Sequence, residues 1–202
     1  MKVLSVGAHP DDIELGCGGS LAAHVAAGDD ITMLVMTDGK SGPGNVAQRI
    51  AEQENAARAL GVNLLWGNVP DGMVGNYEQM ALHVIEGALA VTGATRLYTH
   101  GCDDSHQDHR AVALLSFGAA RNMSEVLCYD SPSSRHFTPN VYVDITQTLE
   151  KKVEALRCHV SQVEASNRVD MDFVRSQAVY RGGLVRVGAA EGFRAERMVL
   201  SI

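Results

Sequence analysis

The sequence lacks the features that mark several large protein classes. Its four cysteines, Cys17, Cys102, Cys128 and Cys158, lie far apart without a CxxC pair, which argues against a disulfide framework or a cysteine zinc site. No apolar stretch approaches the roughly 20 residues of a membrane span, and His9 interrupts the N-terminal apolar run too early for a signal peptide. We therefore expect a cytoplasmic protein with reduced, mostly buried thiols.

Charge is also scarce, and its sign limits the partners. Only 20% of the 202 residues are charged, whereas 46% are apolar, which indicates a folded, enzyme-like body and excludes a disordered chain. The net charge of −7 argues against nucleic acid or an anionic membrane as the main partner. The length suits one domain with a substantial core, and we expect residues 1–202 to form it.

Strand-like and helix-like segments alternate from the N-terminus to Tyr129. The predicted strands are Lys2 to Ala8, Ile31 to Thr37, Val62 to Trp66, Thr95 to Thr99 and Glu125 to Tyr129. The predicted helices between them are Gly18 to Ala27, Val46 to Leu60, Asn76 to Val91 and about His106 to Asn122. This alternation is typical of an α/β fold: a three-layer, Rossmann-like, mostly parallel sheet with helices on both faces.

The pattern loosens after Tyr129. It predicts a strand over Val141 to Ile145, helices over Leu149 to His159 and Val169 to Tyr180, and short strands near Leu184 to Val187 and Arg197 to Leu200. Arg181-Gly182-Gly183 is expected to interrupt the chain before the last two strands.

The stretch His9-Pro10-Asp11-Asp12 follows the first predicted strand and can carry chemistry. His9 and Asp12 offer one nitrogen and one oxygen ligand to a metal ion, on a turn that Pro10 stiffens. Adjacent carboxylates on a bent loop point in different directions, so Asp12 can bind metal while Asp11 stays free for proton transfer. The alternative is an ordinary polar turn with an aspartate helix cap.

A second stretch, Ser105-His106-Gln107-Asp108-His109, follows the fourth strand. Ser105 is expected to cap a helix, which places His106 and His109 on one face of its first turn. The alternative is a pair of surface histidines. A catalytic zinc usually has three protein ligands and a water, so one of the four candidates must stand aside; binding by all four would make a closed structural site.

The α/β fold itself brings the two stretches together. Ligands bind outside the carboxyl ends of the strands in such sheets, and both stretches follow a strand directly. The glycines at Gly16, Gly18 and Gly19 could suggest a dinucleotide loop, but their spacing is not GxGxxG and two carboxylates precede them. Close packing of helix on sheet explains these glycines better.

Taken together, these residues resemble the LmbE-like or PIG-L family of zinc-dependent N-deacetylases. The similarity covers nearly the whole chain. It is carried by Ala8-His9-Pro10-Asp11-Asp12-Ile13-Glu14, Gly18-Gly19, Arg49-x-x-Glu52, Ala56-Ala57, Leu60-Gly61, Pro70-Asp71-Gly72, His106-Gln107-Asp108-His109, Asn140 to Ile145, His159-Val160-Ser161-Gln162, Tyr180-Arg181-Gly182 and Glu191-Gly192-Phe193.

The resemblance implies a reaction and the residues that perform it. The family removes the acetyl group from N-acetylglucosamine-type sugars on varied aglycones, and relatives often form trimers or hexamers. It implies Zn²⁺ held by His9, Asp12 and His109, with Asp11 as general base. It also implies that His106 stabilises the charged intermediate, for which a protonated imidazole is expected, and that Asp108 supports one of the histidines.

Three further residues are candidates for contact with the substrate. Arg49 could bind a sugar hydroxyl or a carbonyl, or be an exposed arginine paired with Glu52. Asp71 could accept sugar hydroxyls or belong to an ordinary Asp-Gly turn. Some relatives carry a tyrosine near the position of Asp104, so Tyr180 is considered in its place. The alternative functions are hydrolysis of another N-acylated amine and a non-catalytic metal- or nucleotide-binding module.

Overall fold

Seven strands form one mixed sheet in the computed structural model of the chain, which describes residues 1–164 and 169–199. They are β1 (Lys2–Gly7), β2 (Asp30–Val35), β3 (Asn63–Trp66), β4 (Arg96–His100), β5 (Glu125–Tyr129), β6 (Val141–Asp144) and β7 (Ala190–Met198). Their order across the sheet is β3-β2-β1-β4-β5-β7-β6. The first five are parallel, whereas β7 runs antiparallel to both β5 and β6.

Helices cover both faces of this sheet. They are α1 (Asp12–Ala26), α2 (Val46–Leu60), α3 (Glu78–Thr92), α4 (Gln107–Ala119), α5 (Leu149–Arg157), α6 (Val160–Val163) and α7 (Met171–Val185), with a 3₁₀ turn at Val74–Asn76. Residues of α1, α2 and α5 join one buried apolar cluster, and residues of α3 and α4 join a second cluster on the opposite face. The predicted three-layer α/β fold is confirmed.

The central strands are buried on both faces, as their continuous apolar sequences predict. In β1 and in β2, every residue after the first is buried. The strand order reverses between β1 and β4, which are direct neighbours in the sheet. A crevice for ligands forms at such a reversal point, outside the carboxyl ends of the two strands.

Helix α1 begins earlier than predicted and is kinked. It starts at Asp12, and non-helical angles at Cys17 (φ −146°, ψ 15°) divide it into two parts. The predicted start at Gly18 therefore corresponds to the second part. A Cβ atom on Gly16 would lie 2.2 Å from the Tyr129 ring, and one on Gly19 would lie 2.8 Å from Ile145. These glycines thus allow close helix–sheet packing, as expected.

The predicted break at Arg181-Gly182-Gly183 is wrong, because α7 continues through it to Val185. A Cβ on Gly182 would lie 2.7 Å from Ala189 Cα, so this glycine permits close packing and the helix does not end there. The predicted strand near Leu184 is consequently the end of α7 and the turn after it. The last strand is the longer β7, and Leu200 lies outside the described residues.

Smaller differences affect the other helices. Helix α4 ends at Ala119, short of the expected Asn122, and α5 ends at Arg157 before the separate α6. The four cysteines are free thiols, of which Cys17 and Cys128 are buried and Cys102 is exposed. In the described ranges, we find no helix with the length and apolar character needed to cross a membrane.

Candidate metal centre and active site

The two polar stretches meet at the reversal point of the sheet. His9 to Asp12 follow β1, and the loop from Gly101 to His106 follows β4. Asp11 has a left-handed backbone conformation (φ 94°), which is uncommon for a residue other than glycine and is often found at functional sites. It turns the chain sharply into α1, so that the backbone N–H of His9 donates a 2.8 Å hydrogen bond to Asp12 Oδ2.

The three predicted ligands, His9, Asp12 and His109, contact one another in a triangle, with the two histidines on different oxygens of Asp12. His9 Nδ1 lies 3.3 Å from Asp12 Oδ2, His109 Nε2 lies 3.3 Å from Asp12 Oδ1, and the two ring nitrogens are 3.3 Å apart. Ligands of a tetrahedral zinc ion with bonds of about 2.0–2.2 Å stand roughly 3.3–3.6 Å from one another. The donor set and its spacing therefore fit a small divalent cation.

Carboxylates orient the rings of both histidines from behind. His9 Nε2 lies 3.2 Å from Asp71 Oδ1 and 3.3 Å from Asp108 Oδ2. His109 Nδ1 lies 3.0 Å from Asp104 Oδ2. An acceptor on the far nitrogen fixes the tautomer and directs the other lone pair toward a metal. Asp108 thus lies beside His9, where the sequence expects a supporting carboxylate.

His106 caps helix α4, in the place predicted for Ser105. Its Nδ1 accepts the backbone N–H of Asp108 at 3.2 Å, so the ring hydrogen resides on Nε2. The ring stacks on His109 at 4.5 Å between centroids. Burial and the neighbouring histidines lower the pKa of His106. The expected protonated imidazole is therefore disfavoured, and a neutral ring donates its hydrogen from Nε2.

Asp11 is buried at the edge of the same cavity. Burial, and then the charge of Asp12, raise the pKa of Asp11 to about 7. Its position is fixed through Gln53, which accepts the Asp11 N–H at 3.2 Å and donates to Glu14 Oε1 at 2.6 Å. A carboxyl group thus lies next to the metal triangle without belonging to it.

His100, which received no role from the sequence, is part of the site. Its Nε2 accepts the backbone N–H of Ala8 at 3.1 Å and lies 3.3 Å from Asp12 Oδ2. The ring stacks on His109 with 4.0 Å between centroids. Burial, together with the charge of His109, lowers the pKa of His100 to about 4. A neutral ring whose Nε2 lone pair accepts the Ala8 N–H is a poor metal ligand, and its stacking supports the ring of His109.

Other sets of possible ligand atoms lie within 4.8 Å of one another and overlap the triangle. They are His9, His106 and His109; Asp12, His100 and His109; and His9, Asp71 and Asp108. The ring nitrogens of His106 and His100 discussed above are engaged by backbone N–H groups. Asp71 and Asp108 face the far nitrogen of His9. Among the described residues, these three sets and the pairwise contacts of His9, Asp12 and His109 all mark the same place, and the choice of ligands stays a prediction.

Arg49 was predicted either to bind substrate or to be an exposed arginine paired with Glu52, and the structure matches neither description fully. It lines the cavity, but it is buried, and its guanidinium donates to Gly39 O at 2.8 Å and to Pro10 O at 2.9 Å. The predicted pairing with Glu52 is wrong, because Glu52 accepts hydrogen bonds from Ser161 N and Oγ. Arg49 thus ties the loop before α2 to the turn that carries the metal triangle.

Asp71 and Tyr180 do not match their predicted substrate roles. Asp71 lines the cavity, but its oxygens face His9, the Thr37 hydroxyl (3.2 Å) and the Ser41 N–H (2.7 Å). Its carboxylate is therefore engaged in orienting His9 and the loop around Ser41. Tyr180 is 67% exposed on α7 and is absent from the lining of the cavity. The prediction for Tyr180 is wrong, because the outward face of α7 carries it.

The cavity above the triangle has a volume of about 720 Å³. Three further segments complete the wall of the cavity. They contribute Ser41 and Gly42, Ser105 and Gln107, and Pro132 and Ser133. Its size suits a sugar-sized ligand, since small-molecule pockets commonly measure about 300–1,000 Å³. The metal triangle, Asp11 and His106 thus share one solvent-accessible space.

Comparisons with known proteins point to one family. Residues 4–120 match the family PIG-L, described as GlcNAc-PI de-N-acetylase. The chain is 35% identical over 170 residues to the uncharacterized deacetylase YaiS of Escherichia coli (strain K12), covering 79% of this chain and 90% of that protein. It is 28% identical to the diacetylchitobiose deacetylase of Thermococcus kodakarensis, covering 96% of this chain and 82% of that protein. The crystal structure of the conserved protein TT1542 from Thermus thermophilus superposes with a TM-score of 0.89 at 26% identity, covering 100% of this chain and 97% of that one.

Proposed function

The chain belongs to the PIG-L family of deacetylases, and from this premise we propose that it is a zinc-dependent hydrolase of N-acetylated amino sugars. Its substrate is an N-acetylglucosamine-type sugar or a conjugate of one, and its products are acetate and the free amine. The diacetylchitobiose deacetylase among its relatives supports this substrate class.

One observation carries the proposal: a metal-sized triangle of ligands with a spare carboxyl group beside it. His9, Asp12 and His109 would supply the donor atoms: the two ring nitrogens are 3.3 Å apart, and each lies 3.3 Å from one of the two Asp12 oxygens. Asp11 and His106 line the same cavity. A purely structural metal site needs no adjacent acid or hydrogen-bond donor, whereas amide hydrolysis needs both.

His9, Asp12 and His109 would hold the zinc ion. When bound, zinc supplies a Lewis acid for the amide carbonyl and lowers the pKa of water to about 7. Asp11 accepts a proton from the attacking water and later delivers it to the leaving amine. A positioned acid–base group of this kind contributes roughly 10²- to 10⁴-fold to the rate.

His106 stabilises the negative charge that develops on the acetyl oxygen during the reaction. Its Nδ1 is held by the backbone of Asp108, so its Nε2–H is oriented to donate to the acetyl oxygen as negative charge builds there. Loss of one such donor costs roughly 10²- to 10³-fold in turnover.

The test separates metal binding from catalysis. Zinc-loaded wild type and an Asp11→Asn variant are compared for bound zinc by mass spectrometry and for acetate release from N-acetylglucosamine conjugates. We expect the variant to keep its zinc and to lose at least about 10²-fold in turnover. The matched control is Asp30→Asn, which changes an exposed aspartate at the start of β2, remote from the cavity.

Two outcomes would overturn the proposal. Unchanged turnover in Asp11→Asn would remove the general base, and failure of wild type to bind zinc would remove the metal. Release of acyl groups only from non-sugar amines would favour the alternative hydrolase.

A nucleotide-binding module is poorly supported, because the N–H groups of Gly19 and Ser20 that could bind a phosphate already donate to Glu191. The homo-oligomer and the cytoplasmic location remain predictions from the sequence.

A further inference from the structure

A second, mainly apolar pocket adjoins the catalytic cavity. It has a volume of about 340 Å³. Leu15, Pro132 and Val169 line both spaces, so the two pockets are separated by no more than shared side chains. Phe137 and Phe173 add two aromatic rings to the wall of the second pocket. The second pocket therefore lies directly beside the space in which the acetamide group of a substrate would be placed.

The polar groups at the rim of the apolar pocket are already engaged within the protein. Asp130 accepts hydrogen bonds from Gln177 at 3.2 Å and from the Arg181 guanidinium. Asp170 Oδ1 caps α7 by accepting the N–H of Asp172 at 2.9 Å and of Phe173 at 3.1 Å. Asp130 Oδ2 and Asp170 Oδ1 thus each already accept two hydrogen bonds within the protein.

The two serines at this rim are engaged as well. Ser134 Oγ accepts the N–H of Ser131 at 2.9 Å, and Ser131 Oγ donates to Asp104. A second sugar ring would lose hydrogen bonds to water without gaining equivalent bonds from these groups, which is costly. An apolar group makes no hydrogen bonds to water and therefore loses none when it enters the pocket.

Phe173 is the side chain in this pocket that most clearly lacks cover. It is 56% exposed although it is large and apolar, and it lies on the wall of a concave surface. An exposed apolar surface inside a concavity is a common mark of a ligand-binding site. A ligand with an apolar surface of its own would bury the exposed part of the Phe173 ring.

We propose that the apolar pocket binds an alkyl or aryl aglycone, so that the substrates of this enzyme are N-acetylated amino sugars carrying an apolar group. This inference rests on the proposed deacetylase function. Each CH₂ group transferred from water to an apolar site favours binding by about fourfold. Four or more carbons in the pocket should therefore improve kcat/KM by roughly 10- to 100-fold, after the cost of ordering the chain.

The experiment compares substrates that differ only in the aglycone. Zinc-loaded enzyme is assayed for free amine release from methyl, hexyl and phenyl N-acetyl-β-glucosaminides and from N,N′-diacetylchitobiose. We expect the hexyl and phenyl compounds to exceed the methyl compound by about tenfold or more in kcat/KM, mainly through KM, because the aglycone takes no part in the reaction.

A variant and a matched control locate the effect. Phe173→Ala should reduce the hexyl-to-methyl ratio of kcat/KM by about fivefold or more, because it removes apolar contact from the pocket. Val179→Ala changes another exposed apolar residue of the same helix that does not line the pocket, and it should leave the ratio unchanged. Equal loss of the ratio in both variants would overturn the assignment.

The outcomes distinguish this inference from the proposed function. Equal kcat/KM for methyl and hexyl compounds, or a preference for diacetylchitobiose over both, overturns the inference and leaves the deacetylase intact. Absence of amine release from every compound overturns the proposed function. In that case calorimetric titration of the methyl and hexyl compounds still decides the inference: about tenfold tighter binding of hexyl supports the apolar pocket, and equal affinity rejects it.

Discussion

Asp104 is the residue whose contribution to the site is most easily isolated. It is 2% exposed, and its Oδ2 accepts from His109 Nδ1 while its Oδ1 accepts the His106 N–H. Burial would raise the pKa of Asp104, but the hydrogen bonds from His109 and Ser131 outweigh it and hold the pKa below the usual range. An ionised carboxylate therefore orients the ring of His109, a proposed metal ligand.

We predict that Asp104→Asn weakens zinc binding by about 10- to 100-fold, because the amide lacks the negative charge that makes the His109 ring nitrogen a more basic metal ligand. Competition with a chromophoric chelator measures this affinity. The control is Asp103→Asn, which changes the neighbouring acid, ion-paired to Arg194 at 3.2 Å on the surface, and should leave the affinity unchanged. Equal zinc affinity in Asp104→Asn and wild type would contradict the prediction.

The meeting of the proposed ligands could be predicted at the residue scale, whereas only Asp108 among their supporting residues could. His9 and Asp12 follow β1, and His109 lies in the first turn of the helix after β4, and the fold brings the segments after these neighbouring parallel strands together. Asp104 reaches the site through the conformation of the loop after β4, which leaves no periodic signal in the sequence, whereas His100 is the last residue of β4 itself. The prediction for Tyr180 fails for a different reason, because the rotation of α7 about its axis decides which of its residues face the cavity.

At the scale of elements, the first part of α1 depends on its contact with the sheet at Gly16. A Cβ there would lie 2.2 Å from the Tyr129 ring, and this ring is buried and held by a 2.8 Å hydrogen bond to Val6 O. We expect Gly16→Ala to lower the free energy of unfolding by about 1–3 kcal/mol, since the ring cannot yield without moving the helix. Urea unfolding measures the change.

The matched control for Gly16 is a glycine in open space. Gly87 is exposed in α3, and a Cβ on it would meet no atom within 4 Å. Gly87→Ala should leave the stability equal or raise it by up to about 1 kcal/mol, because alanine favours the helical backbone. Destabilisation of similar size in both variants would show that the contact with Tyr129 is not the cause.

A buried ion pair joins α1, α5 and β7. Lys152 Nζ donates to Leu15 O at 2.7 Å and pairs with Glu191, which in turn accepts the N–H groups of Gly19 and Ser20. The carboxylate thus takes the favourable position at the start of the second part of α1. This contact explains why the kinked helix resumes at Gly18.

We predict that removing either charge alone destabilises the protein by about 3–5 kcal/mol, because the remaining partner stays buried without compensation. The double variant Lys152→Met/Glu191→Gln should cost clearly less than the sum of the single variants, as a cycle of thermal unfolding measurements will show. For comparison, Lys151→Met breaks an exposed pair with Glu154 and should cost less than about 1 kcal/mol. Additive losses at Lys152 and Glu191 would contradict a coupled pair.

At the scale of the whole molecule, the sequence predicts the parallel part of the sheet better than the antiparallel edge. Regular alternation of strands and helices identified β1 to β5, because a parallel connection requires a crossover helix. The pairing of β7 between β5 and β6 depends on contacts such as Tyr129 with Phe193 and Val141 with Phe193, which come from distant parts of the chain. Local sequence patterns carry little information about such partners, and the shortened prediction for the last strand reflects this.

The edges of the sheet also provide a test of the proposed single domain. The only tryptophan of the sequence, Trp66, lies on β3 at one edge, and Tyr142 lies on β6 at the other. Buried contacts run between the N-terminal and C-terminal parts of the chain, including Glu191 with Gly19 and Ser161 with Glu52. These contacts should make both edges unfold together.

We therefore predict one cooperative transition in urea, with coincident midpoints for Trp66 fluorescence and far-UV circular dichroism. A second reporter, Trp66→Phe combined with Tyr142→Trp, moves the fluorescence to the opposite edge and should give the same midpoint as the circular dichroism of that variant. Two separate midpoints would mean that the antiparallel edge unfolds independently. The cavity would then lose part of its wall when that edge unfolds, because Pro132, Ser133 and Val169 come after the five parallel strands in the sequence.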